Sequence, residues 1–226
     1  MRKFETASTI VTILLIILPS TALTFHVSST GTNKTIRTVT TFVSDTSWKV
    51  FDSDPALGPA SSLGHAQYVC LNLSYPSRCP SGATLYGWGD SGWTADLSST
   101  PRASWIWAPH ITGQTAPAEF NQFFFSKPFH ISGSPISASI SIAVDDFAEV
   151  RVNGQVVGSS GSITDYSTAA LAQSSLKTFD LTPFLVAGTN ILTIRAENGP
   201  FGLCCPSSYS GNPAGVVFGG SISFQG

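Results

Sequence analysis

The feature that most constrains this chain is a strict alternation of apolar and small residues between positions 136 and 144. The apolar positions are Ile136, Ala138, Ile140, Ile142 and Val144, and the residues between them are Ser137, Ser139, Ser141 and Ala143. Successive side chains of a β-strand point to opposite faces, so the pattern predicts a strand with one buried and one solvated face. It argues against an amphipathic helix, in which apolar residues recur about every three or four positions. A strand of this kind is typical of an antiparallel sandwich.

The alternation resumes at Val150 and Val152, and the dipeptide Asn153-Gly154 comes directly after it. Asn-Gly readily adopts the positive φ angles of a type I′ turn, which joins two antiparallel strands. The stretch "FAEVRVNGQVVG" therefore predicts a β-hairpin.

Two adjacent acids, Asp145 and Asp146, separate these strands. We interpret them as a turn or bulge between the strands. Because neighbouring strand residues point to opposite faces, they are poorly placed for a shared catalytic task. The alternative is a metal site, for which Ca²⁺ would suit loop carboxylates with nearby carbonyl oxygens.

Further runs of strand character are bounded by Gly, Pro, Asn or Asp; they are "ASWIWAP", "NQFFFSKPFHI", "LKTFDL", "NILTIRAEN" and "GVVFGGSISF". We predict an all-β fold, an antiparallel β-sandwich, as a single domain over residues 36–226. A Ser/Thr-rich lead-in at 23–35 precedes it. Residues 52–104 are predicted to be largely irregular, because Pro, Gly and Ser interrupt them repeatedly.

Three segments, "ISIAVDDFAEVRVNGQVVG", "FDLTPFLVAGTNILTIRAENG" and "GVVFGGSISF", resemble the galactose-binding-like jelly-roll domain. The resemblance covers about residues 103–224. Domains of that family occur as ancillary or sugar-binding parts of glycoside hydrolases and as free-standing carbohydrate-binding modules. The resemblance implies a jelly-roll sandwich that binds carbohydrate and lacks the catalytic domain.

The N-terminus has the features of an export signal. Arg2 and Lys3 precede an apolar run at 10–18, and Pro19 and small residues up to Ala22 follow. We predict that residues 1–22 are a signal peptide and that the mature protein is secreted, extracellular and free of a membrane segment. Asn33 and Asn72 lie in N-glycosylation acceptor sequences, in agreement with export.

The four cysteines of the chain are an even set, which suits disulfide bonds in an oxidising compartment. They are Cys70, Cys79, Cys204 and Cys205. Three pairings are open: Cys70 with Cys79 plus a Cys204–Cys205 bond, or either of two pairings that cross between these loops. A zinc site is a poor rival because the C-x-x-C spacing is missing.

The charge of the chain argues against a nucleic-acid partner. The formal net charge is −2, and no cluster of Lys and Arg follows the first few residues. The four histidines lack metal-ligand spacing and no nucleophile motif occurs, so we assign no catalytic residue and no cofactor besides the alternative Ca²⁺.

The strongest binding candidate is the aromatic stretch "LYGWGDSGWTAD". Sugar rings stack on aromatic side chains while their hydroxyls need polar partners. The candidate ligand-binding residues are Tyr86, Trp88, Asp90, Trp93 and Asp96, with Asn198 as a secondary one. The alternative is that these aromatics pack the loop onto the sandwich as a satellite core. Of the strand tryptophans Trp105 and Trp107, we expect at least one in the core.

The leading functional prediction is a secreted, non-catalytic, lectin-like module that binds a carbohydrate or glycoconjugate of extracellular or cell-wall material. The alternative is a structural or adhesive extracellular subunit that assembles with itself or with matrix proteins. A small glycoside hydrolase is the third hypothesis.

Overall fold

The computed structural model describes residues 25–27, 37–71, 79–86, 92–94, 103–112, 115, 119–201 and 208–225. Two sheets pack face to face, so the predicted all-β antiparallel sandwich is confirmed. The predicted signal peptide at 1–22, Asn33 and Asn72 lie outside the described residues.

The strands in chain order are β1 (Phe25–Val27), β2 (Arg37–Val43), β3 (Lys49–Phe51), β4 (Ser62–His65), β5 (Gln67–Leu71), β6 (Thr84–Tyr86), β7 (Ile106–Trp107), β8 (Gln122–Ile131), β9 (Ser134–Asp145), β10 (Phe147–Val152), β11 (Gln155–Gly161), β12 (Lys177–Asp180), β13 (Gly188–Glu197) and β14 (Gly215–Gln225). One helix, α1 (Tyr166–Ser174), and a 3₁₀ turn (Thr182–Phe184) complete the described elements.

The first sheet runs β1-β2-β14-β7-β5-β6, and β9 joins it by pairing with both β14 and β12. The second sheet runs β11-β10-β13-β8-β3-β4. All described pairs are antiparallel except β5 with β6. Long strands such as β8 and β13, paired from Gly188↔Ile131 to Glu197↔Gln122, set the length of the sandwich.

The core lies between the two sheets. Its largest fully buried side chains include Trp48, Trp107, Phe125 and Phe218. The ring of Trp48 meets that of Phe218 edge to face at 4.7 Å, a favoured aromatic geometry. Trp107 thus confirms the expectation that at least one strand tryptophan belongs to the core.

The alternation predicted for β9 holds from Ala138 to Val144 and is wrong at its start. Ile136 is 44% exposed, because it occupies a β-bulge: Ser137 pairs with Ser223 and Pro135 with Phe224, which leaves Ile136 without an opposite residue. The other face is not wet throughout, since Ala143 is fully buried in a small second cluster.

The predicted hairpin is confirmed. Strands β10 and β11 pair from Phe147↔Gly161 to Val152↔Gln155. Asn153 and Gly154 form the turn with φ angles of +53° and +78°, as a type I′ turn requires.

Helix α1 was not anticipated, because its sequence has no apolar stripe. Only Ala169 and Ala172 are buried on it. Asp165 caps its start, with Oδ1 accepting a hydrogen bond from the Thr168 backbone N–H at 2.7 Å.

Within the region 52–104 the structure describes three short strands, β4, β5 and β6. A disulfide joins Cys70 of β5 to Cys79, which excludes the two crossed pairings. Cys204 and Cys205 lie outside the described residues. Within the described part of the chain, no helix has the length and apolar character needed to cross a membrane.

Candidate functional site

The acid pair lies where the chain crosses from the first sheet to the second. Strand β9 ends at Asp145, β10 begins at Phe147, and the peptide bond between Asp145 and Asp146 is cis. The pair therefore does form a corner between strands. It is not a surface turn, however, because the exposed fractions of Asp145 and Asp146 are 8% and 3%.

Each acid accepts a specific hydrogen bond. The indole N–H of Trp93 donates to Oδ2 of Asp145 at 2.7 Å, and the backbone N–H of Gly199 donates to Oδ2 of Asp146 at 2.7 Å. The backbone of Asp146 adds a bond from the Ser162 N–H to its carbonyl oxygen at 3.2 Å. The corner thus ties together three loops that are distant in sequence.

The environment raises the pKa of both acids, and that of Asp145 more strongly. Burial raises the pKa of Asp145 well above its ordinary value, the charge of Asp146 adds to this, and the Trp93 bond opposes it. Burial also raises the pKa of Asp146, and its bonds to Asp145 and Gly199 oppose the rise. The side chains of Asp145 and Asp146 interact with each other, because the chain bends at this corner and does not continue as a single strand.

Trp93 packs against Trp105 above this corner. The two rings stack with centroids 4.2 Å apart and planes inclined by 21°. The backbone of Gly215 runs beneath them, and a Cβ there would lie 2.7 Å from Trp93 and 2.9 Å from Trp105. The indole N–H of Trp105 donates to the Thr94 carbonyl oxygen at 3.1 Å. Trp93, which the sequence assigned to sugar stacking, therefore has one ring face covered by Trp105.

Asn198 is fully buried in a network of backbone contacts. Its Nδ2 donates to the Asn212 carbonyl oxygen at 3.2 Å, and its backbone N–H donates to the Asn121 carbonyl oxygen at 3.0 Å. Asn212 in turn donates from Nδ2 to the Gly199 carbonyl oxygen at 2.7 Å. Asn198 thus holds neighbouring loops in place from beneath the surface.

The described part of the structure does not show the remaining candidates from the sequence lying together in one site. Tyr86 ends β6. Trp88, Asp90 and Asp96 lie outside the described residues, and their assignment to a ligand stays a prediction.

An aromatic pair that sequence reasoning missed, one exposed ring on a half-buried one, lies beside the corner. Tyr166, the first residue of α1, is 58% exposed, and its ring meets that of Phe201 at 5.8 Å with an interplanar angle of 66°. Phe201 lies close to Gly199, because a Cβ on Gly199 would be 3.1 Å from the Phe201 ring and 3.1 Å from Oδ2 of Asp146. No local pattern marks these two residues, which are 35 positions apart by number, as neighbours.

A metal at the corner would need ligands besides the two carboxyl groups. Among the residues that the structure describes, no three or more His, Cys, Asp or Glu side chains converge so that they could hold a metal ion. Asp145 and Asp146 would have to be completed by backbone carbonyl oxygens.

No family model and no curated protein matches this chain. Solved structures that resemble it in part include a Bacteroides uniformis β-glucuronidase (15% identity, TM-score 0.37), a Streptomyces avermitilis α-L-rhamnosidase (19%, 0.40) and a Ruminococcus gnavus β-glucuronidase (10%, 0.42). These matches cover 80%, 84% and 82% of this chain and 18%, 16% and 29% of the respective enzymes. The chain thus spans less than a third of their length. At these TM-scores the likeness carries no argument about function, which must come from the residues of the chain itself.

Proposed function

We propose that this chain is a secreted, non-catalytic carbohydrate-binding module that holds its ligand at the end of the sandwich where Tyr166 and Phe201 lie. The observation that carries the proposal is the contact between the exposed ring of Tyr166 and the half-buried ring of Phe201. Tyr166 is 58% exposed and rests edge to face on Phe201. A large aromatic ring held at the surface by a second ring is a suitable platform for the apolar C–H face of a sugar.

Polar groups that could bind sugar hydroxyls adjoin this platform. Thr164 and Asp165 immediately precede Tyr166 and are exposed. Their backbone N–H groups donate to Oγ of Ser162 at 3.1 and 3.0 Å, so the segment is folded by its own hydrogen bonds. A surface that is already ordered loses little conformational entropy when a ligand binds.

The buried acids support this surface in the proposal and take no part in bond cleavage. A glycosidase places its two carboxyl groups on either side of the scissile bond, where both can reach the sugar. Asp146 instead binds the backbone of Gly199 and Asp145 binds the indole of Trp93, both below the surface. Through Gly199, Asp146 positions the segment that carries Phe201.

The extracellular assignment has support from chemistry as well as from the predicted signal peptide. The Cys70–Cys79 disulfide is of a kind that persists in oxidising compartments. The low charge of the chain, 11% Asp, Glu, Lys and Arg, leaves few groups for a charged partner.

The test is a glycan-array screen of the secreted protein, followed by calorimetric titration of any glycan that binds. We expect Tyr166→Ala and Phe201→Ala to weaken binding about 5- to 10-fold or more, since an aromatic contact contributes roughly 1 kcal/mol or more. Tyr166→Phe keeps the ring and should retain most of the affinity. Leu171→Ala is the matched control, because Leu171 is 64% exposed on the same helix.

Three outcomes would overturn the proposal. The first is a folded wild-type protein that binds no glycan, and the second is binding that survives both alanine substitutions. The third is turnover on a panel of glycosides that Asp145→Asn abolishes, which would make the chain an enzyme. Concentration-dependent assembly without glycan, measured by light scattering, would favour the structural or adhesive subunit instead.

A further inference from the structure

A concave site lies between the two sheets, and neither Tyr166 nor Phe201 lines it. It is a cleft of about 250 Å³ that lies between β2 of the first sheet and β8 of the second. Most of its wall is apolar, and the large side chains that line it are Phe42, Trp48, Phe129, Leu192, Ile222 and Phe224.

The cleft lies where β8 extends beyond its neighbour β3 and β2 extends beyond its neighbour β1. On β8, strand β3 pairs only with Phe124 to Ser126, so residues 127–131 pair on the β13 side alone. On β2, strand β1 pairs only with residues 37–39, so residues 40–43 pair on the β14 side alone. In the described part of the chain, both sheets therefore have an open edge where the cleft lies.

A lysine occupies the inward face of the sandwich at this cleft. Along β8 the residues of one face are Phe125, Lys127, Phe129 and Ile131, and the first and last of them are buried in the core. Nζ of Lys127 donates to Oγ of Ser47 at 2.8 Å and lies 5.8 Å from the centroid of the Trp48 ring. The ion pairs of the described residues involve only Arg151 and Arg195 as cations, so Lys127 faces the cleft without a carboxylate partner.

Asp45 also lines the cleft, but its carboxylate is engaged in the adjoining turn. Oδ1 of Asp45 accepts hydrogen bonds from the backbone N–H and the hydroxyl of Ser47. Ser47 thus links the two charges. The Lys127 ammonium has three N–H donors and, among the described residues, one hydrogen-bond partner, so it retains donors for a ligand.

We propose that this cleft binds a small amphipathic carboxylate, with its apolar part between the sheets and its carboxylate on the Lys127 ammonium. The volume is below the range of about 300 to 1,000 Å³ that drug-sized ligands occupy, so the apolar part is limited to one ring or a short chain. Lys127 makes the cleft selective for an anion, because its ammonium can donate a charge-assisted hydrogen bond at the otherwise apolar entrance. This site is independent of the proposed sugar site.

Calorimetric titration of the secreted protein with octanoate and with 3-phenylpropionate tests the proposal. Comparing the two affinities shows whether the cleft prefers an alkyl chain or an aromatic ring as the apolar part of the ligand. 1-Octanol and octylamine are the uncharged and cationic comparisons. We expect Lys127→Met to weaken carboxylate binding roughly 10- to 100-fold, the effect of losing a hydrogen bond to a charged group, and to leave 1-octanol binding unchanged. Lys49→Met is the matched control, since Lys49 is an exposed lysine of β3 that does not line the cleft.

A second pair of variants tests the location without removing a charge. Thr40 lines the cleft and pairs with the inward-facing Ile222, so Thr40→Phe should fill the cleft and abolish binding of octanoate and 1-octanol alike. Val39→Phe, one residue away on the opposite face of β2, should bind both as the wild type does. The proposal fails if folded wild-type protein binds neither carboxylate, if Lys127→Met binds octanoate unchanged, or if octylamine binds more tightly than octanoate. If Thr40→Phe does not fold, the comparison of Lys127→Met with Lys49→Met tests the proposal by itself.

Discussion

The indole N–H of Trp93 donates a hydrogen bond to Oδ2 of Asp145, a residue 52 positions further along the chain, at 2.7 Å. This bond joins the loop that follows β6 to the corner where the chain passes from one sheet to the other. It is made at a buried carboxyl group, where a lost donor is costly because water cannot replace it. The bond is therefore expected to contribute to the stability of the folded protein.

We expect Trp93→Phe to lower the free energy of unfolding by about 1 to 3 kcal/mol, since it removes the donor to a buried group while keeping a ring to stack on Trp105. Urea unfolding followed by circular dichroism measures the change. The same substitution in an Asp145→Ala background, which lacks the acceptor, isolates the hydrogen bond from the loss of ring area. A cycle in which the two effects simply add would mean that the bond contributes nothing.

Because of the buried acid pair, we expect the free energy of unfolding to fall as pH rises. Because burial raises the pKa of Asp145 in the folded protein above the ordinary value of about 4, the folded state binds more protons than the unfolded state above that pH. The resulting destabilisation is absent below about pH 4 and grows until the pH passes the folded-state pKa. We expect Asp145→Asn to gain stability relative to the wild type as pH rises from about 4 to about 8, as measured by chemical unfolding at each pH.

Asp180→Asn is the control for that series. Hydrogen bonds from Thr182 lower the pKa of Asp180, so its stabilising contribution is fully present above the ordinary pKa of about 4 and is lost only at lower pH. The stability of this variant relative to the wild type should therefore stay constant from about pH 5 to about pH 8. If the stabilities of Asp145→Asn and Asp180→Asn, each relative to the wild type, changed with pH in the same way, the loss of wild-type stability at higher pH could not be assigned to the acid pair.

Gly215 permits the approach of the two stacked tryptophans, and Gly215→Ala should disturb it. The new Cβ would lie 2.7 Å from the Trp93 ring, well inside contact distance. Overpacking of this kind costs about 1 to 3 kcal/mol, and we expect a loss of the near-ultraviolet circular dichroism of the tryptophan pair. Gly58→Ala serves as the comparison, because a Cβ at Gly58 meets nothing within 4 Å. An unchanged spectrum in Gly215→Ala would mean that the two rings do not stack in solution.

Local features of the sequence were enough to predict much of the sandwich. The Asn153-Gly154 turn and the alternation from Ala138 to Val144 depend on a few adjacent residues, and both are confirmed. The failures arise where the local pattern carries no signal. The bulge at Ile136 depends on its partners Ser223 and Phe224 in another strand, and α1 lacks the apolar stripe by which a helix is detected.

The candidate sites were much harder to predict. The sequence drew attention to Trp93 as a surface aromatic, but Trp105 covers its ring and Asp145 accepts from its indole. Tyr166 and Phe201 carry no motif and become a pair only because the start of α1 meets the segment after β13 in the folded sandwich. Lys127 has an ordinary place in an alternating strand, and its position in a cleft depends on where β1 and β3 end.

The sequence by itself determined the fold class, the main hairpin and the corner at Asp145 and Asp146, because strand alternation and turn chemistry act between neighbouring residues. Only the tertiary structure decided that the corner is buried, which aromatic rings remain exposed and where the sheets leave a cleft. These properties arise from contacts between residues far apart in the chain, and burial of a charge or exposure of a ring is a property of the assembled sandwich.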